Sequence, residues 1–116
     1  WLKAKKEIFA PPYNRKLAAE LTTGKVYDNI VASDGAIAWL KENNAYYQYK
    51  MQKIDSIEYF STQGNQATIQ VKVTEKYQLF KNDKLDATRS GSAQLTVIYN
   101  LIFIDGKWKI ATSQII

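Results

Sequence analysis

The hydrophobic and polar positions of this chain follow two periodicities, helical in the first third and strand-like in the rest. Two breakers divide the helical part, the pair Pro11-Pro12 and the stretch Thr22–Gly24. Asn14 is an expected N-cap, and either Ser33 or Asp34 is expected to cap the last helix. The pattern therefore predicts four short helices: residues 1–9, 15–21, 25–31, and a last helix that ends near Glu42.

The remaining residues predict four strands in one antiparallel sheet. Ile69, Val71 and Val73 alternate with polar residues, and the same alternation returns between Leu95 and Phe103. Strands that follow one another through hairpin loops form a meander, and helices that precede them pack on one sheet face, which is an α+β fold. The predicted connections are a loop from Ser61 to Gln66 closed by Gly64-Asn65, a polar excursion from Lys81 to Gly91, and a two-residue turn at Asp105-Gly106.

Residues 39–59 join the last helix to the first strand and hold four of the eight tyrosines. Asn43 and Asn44 are expected to end the helix, since asparagine tolerates the left-handed conformation. Tyr46 and Tyr47 are adjacent, so in a regular strand they point to opposite faces and at least one leaves the core. Core packing accounts for most of the aromatic side chains, and two or three of them are expected to border a binding concavity.

Glu75 departs from the alternation of its strand, because it falls on the face that Val71 and Val73 assign to the core. A buried carboxylate must be paired or hydrogen-bonded, or else it takes up a proton. The favoured interpretation is a structural carboxylate held by a tyrosine hydroxyl, a lysine or arginine head, or a backbone amide. The alternative is a functional acid in a pocket, although the strand pattern places no second titratable group beside it.

Composition limits the chemistry that the chain can perform. It contains no His and no Cys, which excludes thiol nucleophiles, imidazole or thiolate metal sites, and histidine-based triads. The net charge of +5 comes from scattered lysines, and no nucleic-acid-binding motif accompanies them. No apolar run approaches the roughly 18–20 residues that a membrane helix needs. We therefore expect no catalytic residue, metal, cofactor or nucleic acid, and no membrane insertion by this segment.

Four lysines are expected on the outer sheet face: Lys72, Lys76, Lys107 and Lys109.

Several segments together resemble the IMS domain family: the helix end WLKENNAYYQY, the strands IDSIEYF and VKVTEKYQLF, and the closing YNLIFIDGKWKI. This domain ends the chloroplast-division proteins of plants and their cyanobacterial relatives, and it also ends some cyanobacterial serine/threonine kinases. The opening IFAPPYNRKLAAELTTG is similar to the kinase-attached and stand-alone versions. The resemblance covers nearly the whole chain, so we expect residues 1–116 to be a single IMS-like domain, cut from the C-terminal part of a larger, membrane-anchored protein.

The resemblance implies a fold similar to nuclear transport factor 2 (NTF2), in which a curved antiparallel sheet wraps around helices to form an open cone. In the division proteins the domain lies across a membrane from the bulk of the protein and binds the tail of a partner division protein. The partner does not carry over to this chain, because Lys81–Gly91 replaces a stretch that varies across the family. Eight residues match the family pattern and are candidates for the groove: Trp39, Tyr46, Tyr47, Tyr49, Glu75, Tyr77, Tyr99 and Trp108.

Three functions are compatible with these observations. The favoured one is a non-catalytic interaction module whose aromatic groove receives a partner segment or a second copy of the domain. The second is a ligand-sensing domain of a serine/threonine kinase, in which a small molecule fills the cone. The third is an isomerase-like or dehydratase-like enzyme with Glu75 as general base and Tyr46, Tyr77 or Tyr99 polarising a carbonyl. The compartment stays open between the cytoplasm and the far side of a membrane.

Overall fold

The computed structural model describes residues 1–116, the whole chain, with its helices first and its strands second. The helices are α1 (Lys5–Ile8), α2 (Arg15–Leu21), α3 (Gly24–Val31) and α4 (Ala36–Glu42), and a 3-10 turn at Leu2–Ala4 precedes them. The strands are β1 (Ala45–Gln63), β2 (Gln66–Lys81), β3 (Lys84–Ile104) and β4 (Lys107–Ile115). They form one antiparallel sheet in the order β1-β2-β3-β4, so the predicted α+β meander is confirmed.

The helix boundaries follow local capping chemistry, with one correction. The Asn14 side chain accepts the Leu17 N–H at 2.9 Å, which confirms Asn14 as the N-cap of α2. The prediction that Ser33 or Asp34 caps α4 is wrong, because Gly35 occupies the N-cap and no side chain bonds to that terminus. The longest helix has eight residues, and none of the helices could cross a bilayer.

The helices pack against the two edge strands of the sheet, with α1 and α4 against β1 and α2 and α3 against β4. One buried cluster lies among the helices, a second joins α4 to the start of the sheet, and a third lies on β2 and β3. Burying a large aliphatic side chain contributes about 1.5–3 kcal/mol. The second cluster therefore joins α4 to the sheet, and Leu2 of the 3-10 turn packs against the third. The first cluster is Ile8, Ala18, Ile30 and Ile37; the second is Leu40, Ala45 and Leu79; the third is Val71, Val73 and Val97.

Three β-bulges keep the apolar side chains of β1 on the concave face. The register between β1 and β2 shifts after Tyr49, after Ile54 and after Ile57. Each bulge adds a residue to β1, so apolar residues in this part of the strand recur at every third position rather than every second. The resulting pairs across the two strands are Ile54–Val73, Ile57–Val71 and Phe60–Ile69.

The polar excursion predicted from Lys81 to Gly91 is wrong over most of its length. β2 continues to Lys81, a turn follows at Asn82-Asp83 with both residues at positive φ, and β3 begins at Lys84. The register moves from Tyr77 opposite Gly91 to Leu79 opposite Asp86, so residues 87–90 form a wide bulge. The Leu79 N–H donates to the Ser90 Oγ at 2.9 Å across this bulge. The segment is polar because its hairpin projects into solvent, while its backbone stays in the sheet.

The other two turns are both of two residues. Asp105-Gly106 connects β3 to β4 as predicted, with Asp105 and Gly106 at positive φ. The longer loop predicted from Ser61 to Gln66 is wrong, because both strands continue up to the pair Gly64-Asn65. Polar residues at the ends of paired strands therefore produced the same error at two hairpins.

Gly35 provides a test of the packing where α3 gives way to α4. A Cβ on Gly35 would lie 2.8 Å from the Asn29 carbonyl oxygen and 3.0 Å from that of Ile30. These are backbone atoms, so Gly35→Ala should lower the free energy of unfolding by about 1–3 kcal/mol in urea titrations. In Gly91→Ala the nearest atom to the new Cβ is the Tyr77 hydroxyl at 3.9 Å, so this control should change stability by less than about 0.5 kcal/mol. Equal losses in the two variants would contradict the packing described here.

Candidate functional site

A groove along the free edge of β1, here called the tyrosine groove, collects several of the predicted aromatic residues. Its volume is about 450 Å³. α1 and the segment that follows it form its second wall. The Tyr47 N–H donates to the Phe9 carbonyl oxygen at 2.9 Å, which ties this segment to the strand. The main lining residues are Lys6, Ala10 and Pro11 on one side and Tyr46, Tyr47 and Tyr49 on the other.

Aromatic packing orders the tyrosines of this groove. The Tyr47 ring centroid lies 6.1 Å from that of Tyr49 and 6.1 Å from that of Tyr77, distances at which aromatic rings attract one another. Tyr46 lies on the opposite sheet face, where its ring stacks on Phe80 at 5.4 Å. The prediction that Tyr46 and Tyr47 occupy opposite faces is therefore confirmed, and both still reach the groove because it lies at the sheet edge.

Glu75 is held in a buried ion pair beside the tyrosines. The Lys5 Nζ lies 3.0 Å from Glu75 Oε1 and 3.3 Å from Oε2, and the Gln52 amide donates to Oε2 at 3.3 Å. This is the lysine-bonded carboxylate that the structural interpretation expects. Lys5 comes from α1, seventy residues away in sequence, so the strand pattern could not place it. A small pocket of about 230 Å³ over the pair shares Tyr47 and Tyr49 with the groove.

The tyrosine hydroxyls around this pair are held in the protonated form. Burial raises the pKa of Tyr49 well above its ordinary value near 10, and the negative charge of Glu75 raises it further. Burial also raises the pKa of Tyr47. Phenols with raised pKa values stay neutral at physiological pH, so each of these hydroxyls is available as a hydrogen-bond donor.

The structure places the other three candidate residues outside this group. Trp39 packs against the buried cluster that contains Leu40, and the Arg89 guanidinium lies 4.7 Å from its ring. Trp108 contacts Phe103 at 5.3 Å beside the last hairpin and is 43% exposed. Tyr99 lines a different cavity. Of the eight candidates, Tyr46, Tyr47 and Tyr49 therefore line the tyrosine groove, and Glu75 and Tyr77 line the small pocket beside it. Neither space is lined by Trp39, Tyr99 or Trp108.

A second opening on the concave face, here called the apolar cavity, was missed by sequence reasoning. Its volume is about 480 Å³, and eight of its ten lining residues are hydrophobic. The 3-10 turn at Leu2–Ala4 contributes Leu2 and Lys3, and the strands contribute Ile54 and Tyr99 among others. Ile57 and Phe60 continue the apolar surface beyond Ile54 and are 64% and 60% exposed. The third-position spacing of Ile54, Ile57 and Phe60 was the signal in the sequence, but it appears only if bulges are allowed in the strand.

The predicted row of lysines on the outer sheet face carries less unpaired positive charge than expected. The Lys109 Nζ donates to the Ala19 carbonyl oxygen at 2.8 Å, near the C-terminus of α2, so its charge does not belong to an open surface. Lys72 lies 3.5 Å from Glu58, which partly neutralises it. Across the whole chain, His, Cys, Asp and Glu form no group of three or more that would suit a metal ion.

The short helices and the curved antiparallel sheet together form an NTF2-like, cone-shaped fold. The intermembrane space region of the chloroplast protein ARC6 is similar, with a TM-score of 0.75 at 20% identity, over 100% of this chain and 88% of that one. An NTF2-like protein of unknown function from Prochlorococcus marinus is also similar, with a TM-score of 0.59 at 16% identity, over 98% and 87% of the two chains. No curated protein sequence matches the chain.

The family is established by the sequence itself. Residues 1–111 match the family described as ARC6-like, IMS domain, and the chain belongs to that family. The match covers nearly the whole chain, so the resemblance inferred from its motifs is confirmed. The likeness to the two solved structures confirms the NTF2-like fold.

Removal of the Glu75 charge tests the buried ion pair. Glu75→Gln leaves the largely buried Lys5 ammonium without its carboxylate, so the free energy of unfolding should fall by about 1–3 kcal/mol. Glu58→Gln is the control, because Glu58 pairs with Lys72 near the surface at 3.5 Å and should contribute less than about 1 kcal/mol. Urea titrations of both variants measure the difference. If Glu75→Gln lowers the free energy of unfolding no more than Glu58→Gln does, the Lys5–Glu75 pair does not stabilise the fold.

The raised pKa of Tyr49 predicts a loss of stability in alkali. The folded state favours the neutral phenol, so this contribution is complete below about pH 10, where tyrosine ionises in the unfolded chain, and it is lost as pH rises toward the higher folded pKa. Above pH 10 the wild type should lose about 1.4 kcal/mol per pH unit more than Tyr49→Phe does.

Urea titrations at pH 8, 10 and 11 measure this difference. Tyr59→Phe is the control, because Tyr59 is 56% exposed and its replacement should leave the slope of the wild type unchanged. Identical slopes for the wild type and Tyr49→Phe would show that the Tyr49 hydroxyl ionises as readily in the folded protein as in the unfolded chain.

Proposed function

We propose that this domain is a non-catalytic protein-interaction module and that its tyrosine groove binds an extended segment of a partner protein. The observation that carries the proposal is the lining of the groove by Tyr46, Tyr47 and Tyr49 at a sheet edge. Tyrosine supplies a large rigid contact area together with a polar hydroxyl, and it is enriched among residues that dominate binding energy. Membership in the ARC6-like IMS domain family supports the same role.

The partner segment is expected to bind through side chains rather than by adding a strand to the sheet. β1 is an edge strand, but the Tyr47 N–H is already bonded to Phe9, and the first bulge follows directly after Tyr49. Bulges on edge strands obstruct further strand pairing. The exposed Lys6 ammonium at the groove, with the net charge of +5, favours an acidic segment that carries an apolar or aromatic anchor.

The geometry around Glu75 argues against the enzymatic alternative. A general base needs a lone pair directed at the substrate, whereas each oxygen of Glu75 already accepts a hydrogen bond from Lys5, and Oε2 accepts a second one from Gln52. The interaction role is therefore preferred for the groove. On the strength of the resemblance, we place the domain in a cyanobacterial or plastid protein, either a division protein or a serine/threonine kinase.

Substitution in the groove tests the proposal against a protein partner recovered from the source organism and then produced in pure form. Tyr46→Ala and Tyr47→Ala should each weaken binding by about 2 kcal/mol, roughly 30-fold, in titration calorimetry. Tyr47 also contacts the second buried cluster, so melting curves must show that each variant is folded. Tyr59→Ala is the matched control on the same strand, because Tyr59 is exposed and lies outside the groove. Partner binding that both groove variants retain at full strength would rule out this site.

A further inference from the structure

The apolar cavity is a concavity that the proposed function leaves unused. Its volume of about 480 Å³ lies within the range of small-molecule sites, and its walls are mainly aliphatic. Val71 and Val73 form its buried floor at 4% and 1% exposure, whereas Ile54 at its mouth is 55% exposed. Such a space suits the aliphatic tail of a ligand, which gains free energy from each methylene that it removes from water.

The polar groups at this cavity carry positive charge and hydrogen-bond donors but no free negative charge. Lys3 lines the cavity, and its ammonium takes part in none of the four ion pairs of the chain. The Tyr99 hydroxyl is a donor, and burial and the charge of Glu75 both raise its pKa. The Glu75 charge is itself neutralised by Lys5 at 3.0 Å. An anionic head group would therefore find complementary charge at Lys3.

We propose that the apolar cavity binds an amphipathic carboxylate, with an aliphatic tail between β1 and the floor of the cavity and its carboxylate beside Lys3. This site shares no lining residue with the tyrosine groove, so the two can be tested separately. A ligand here would touch both the sheet and the 3-10 turn at Leu2–Ala4. It would therefore stabilise the position of the N-terminal segment on the cone.

The experiment uses dodecanoate, below its critical micelle concentration, with the 116-residue domain. Titration calorimetry should show saturable binding with one site, and the melting temperature should rise with ligand concentration. Dodecanol should bind about tenfold more weakly and dodecyltrimethylammonium more weakly still, because each lacks the charge that Lys3 attracts. Lys3→Gln should reduce dodecanoate affinity by about tenfold and leave dodecanol affinity unchanged.

Two exposed isoleucines provide a matched pair of variants for the location of the site. Ile54→Trp should obstruct the mouth and weaken dodecanoate binding, whereas Ile57→Trp should not, since Ile57 lies on the same face but outside the lining. Both positions are more than half exposed, so neither change should unfold the domain. The proposal is overturned if dodecanoate does not bind, if all three amphiphiles bind alike, or if the two tryptophan variants behave alike. Tyr47→Ala should leave dodecanoate binding unchanged. Loss of dodecanoate binding in this variant would contradict the placement of the ligand in the apolar cavity.

Discussion

The ion pair between Lys5 and Glu75 ties to the sheet the N-terminal segment that helps to line both candidate sites. It joins α1 to the centre of β2 at 3.0 Å, with both side chains largely buried. Leu2 and Lys3, which precede Lys5 in the sequence, line the apolar cavity. Lys6, Ala10 and Pro11, which follow it, line the tyrosine groove. A buried pair of this kind stabilises little relative to an apolar contact, but the loss of one partner is costly. We therefore expect the pair to act mainly by specifying where the N-terminal segment lies.

Much of the fold was predictable because local chemistry and hydrophobic period agree along most of the chain. Asn14 caps its helix as expected, and the regular alternation around Val71 identified β2. The two hairpin errors have one physical cause, which is that polar residues do not imply an irregular backbone. At Lys81–Gly91 the hairpin projects into solvent, so polar side chains occur on paired strands. Solvent exposure depends on the tertiary structure, which a local pattern does not contain.

The candidate site was predictable only in the part that one strand supplies. Tyr46, Tyr47 and Tyr49 are close in sequence and lie in one groove, whereas Trp108 matched the family pattern and lies elsewhere. Lys5, the partner of Glu75, is distant in sequence and comes from a helix whose docking no periodicity describes. The apolar cavity depends on the bulges of β1, which change the period from two to three. Long-range docking and irregular register are therefore what sequence reasoning missed.

We expect the Lys5–Glu75 pair to position the N-terminal segment that lines part of both sites. Amide hydrogen exchange at Tyr47 tests it most directly, because this N–H donates to the Phe9 carbonyl oxygen only while the segment is docked. In Lys5→Gln, exchange at Tyr47 should accelerate by about tenfold or more, while exchange at Val71 in the middle of the sheet should stay slow. Unchanged protection of the Tyr47 amide in Lys5→Gln would show that the Lys5–Glu75 pair does not hold the N-terminal segment in place.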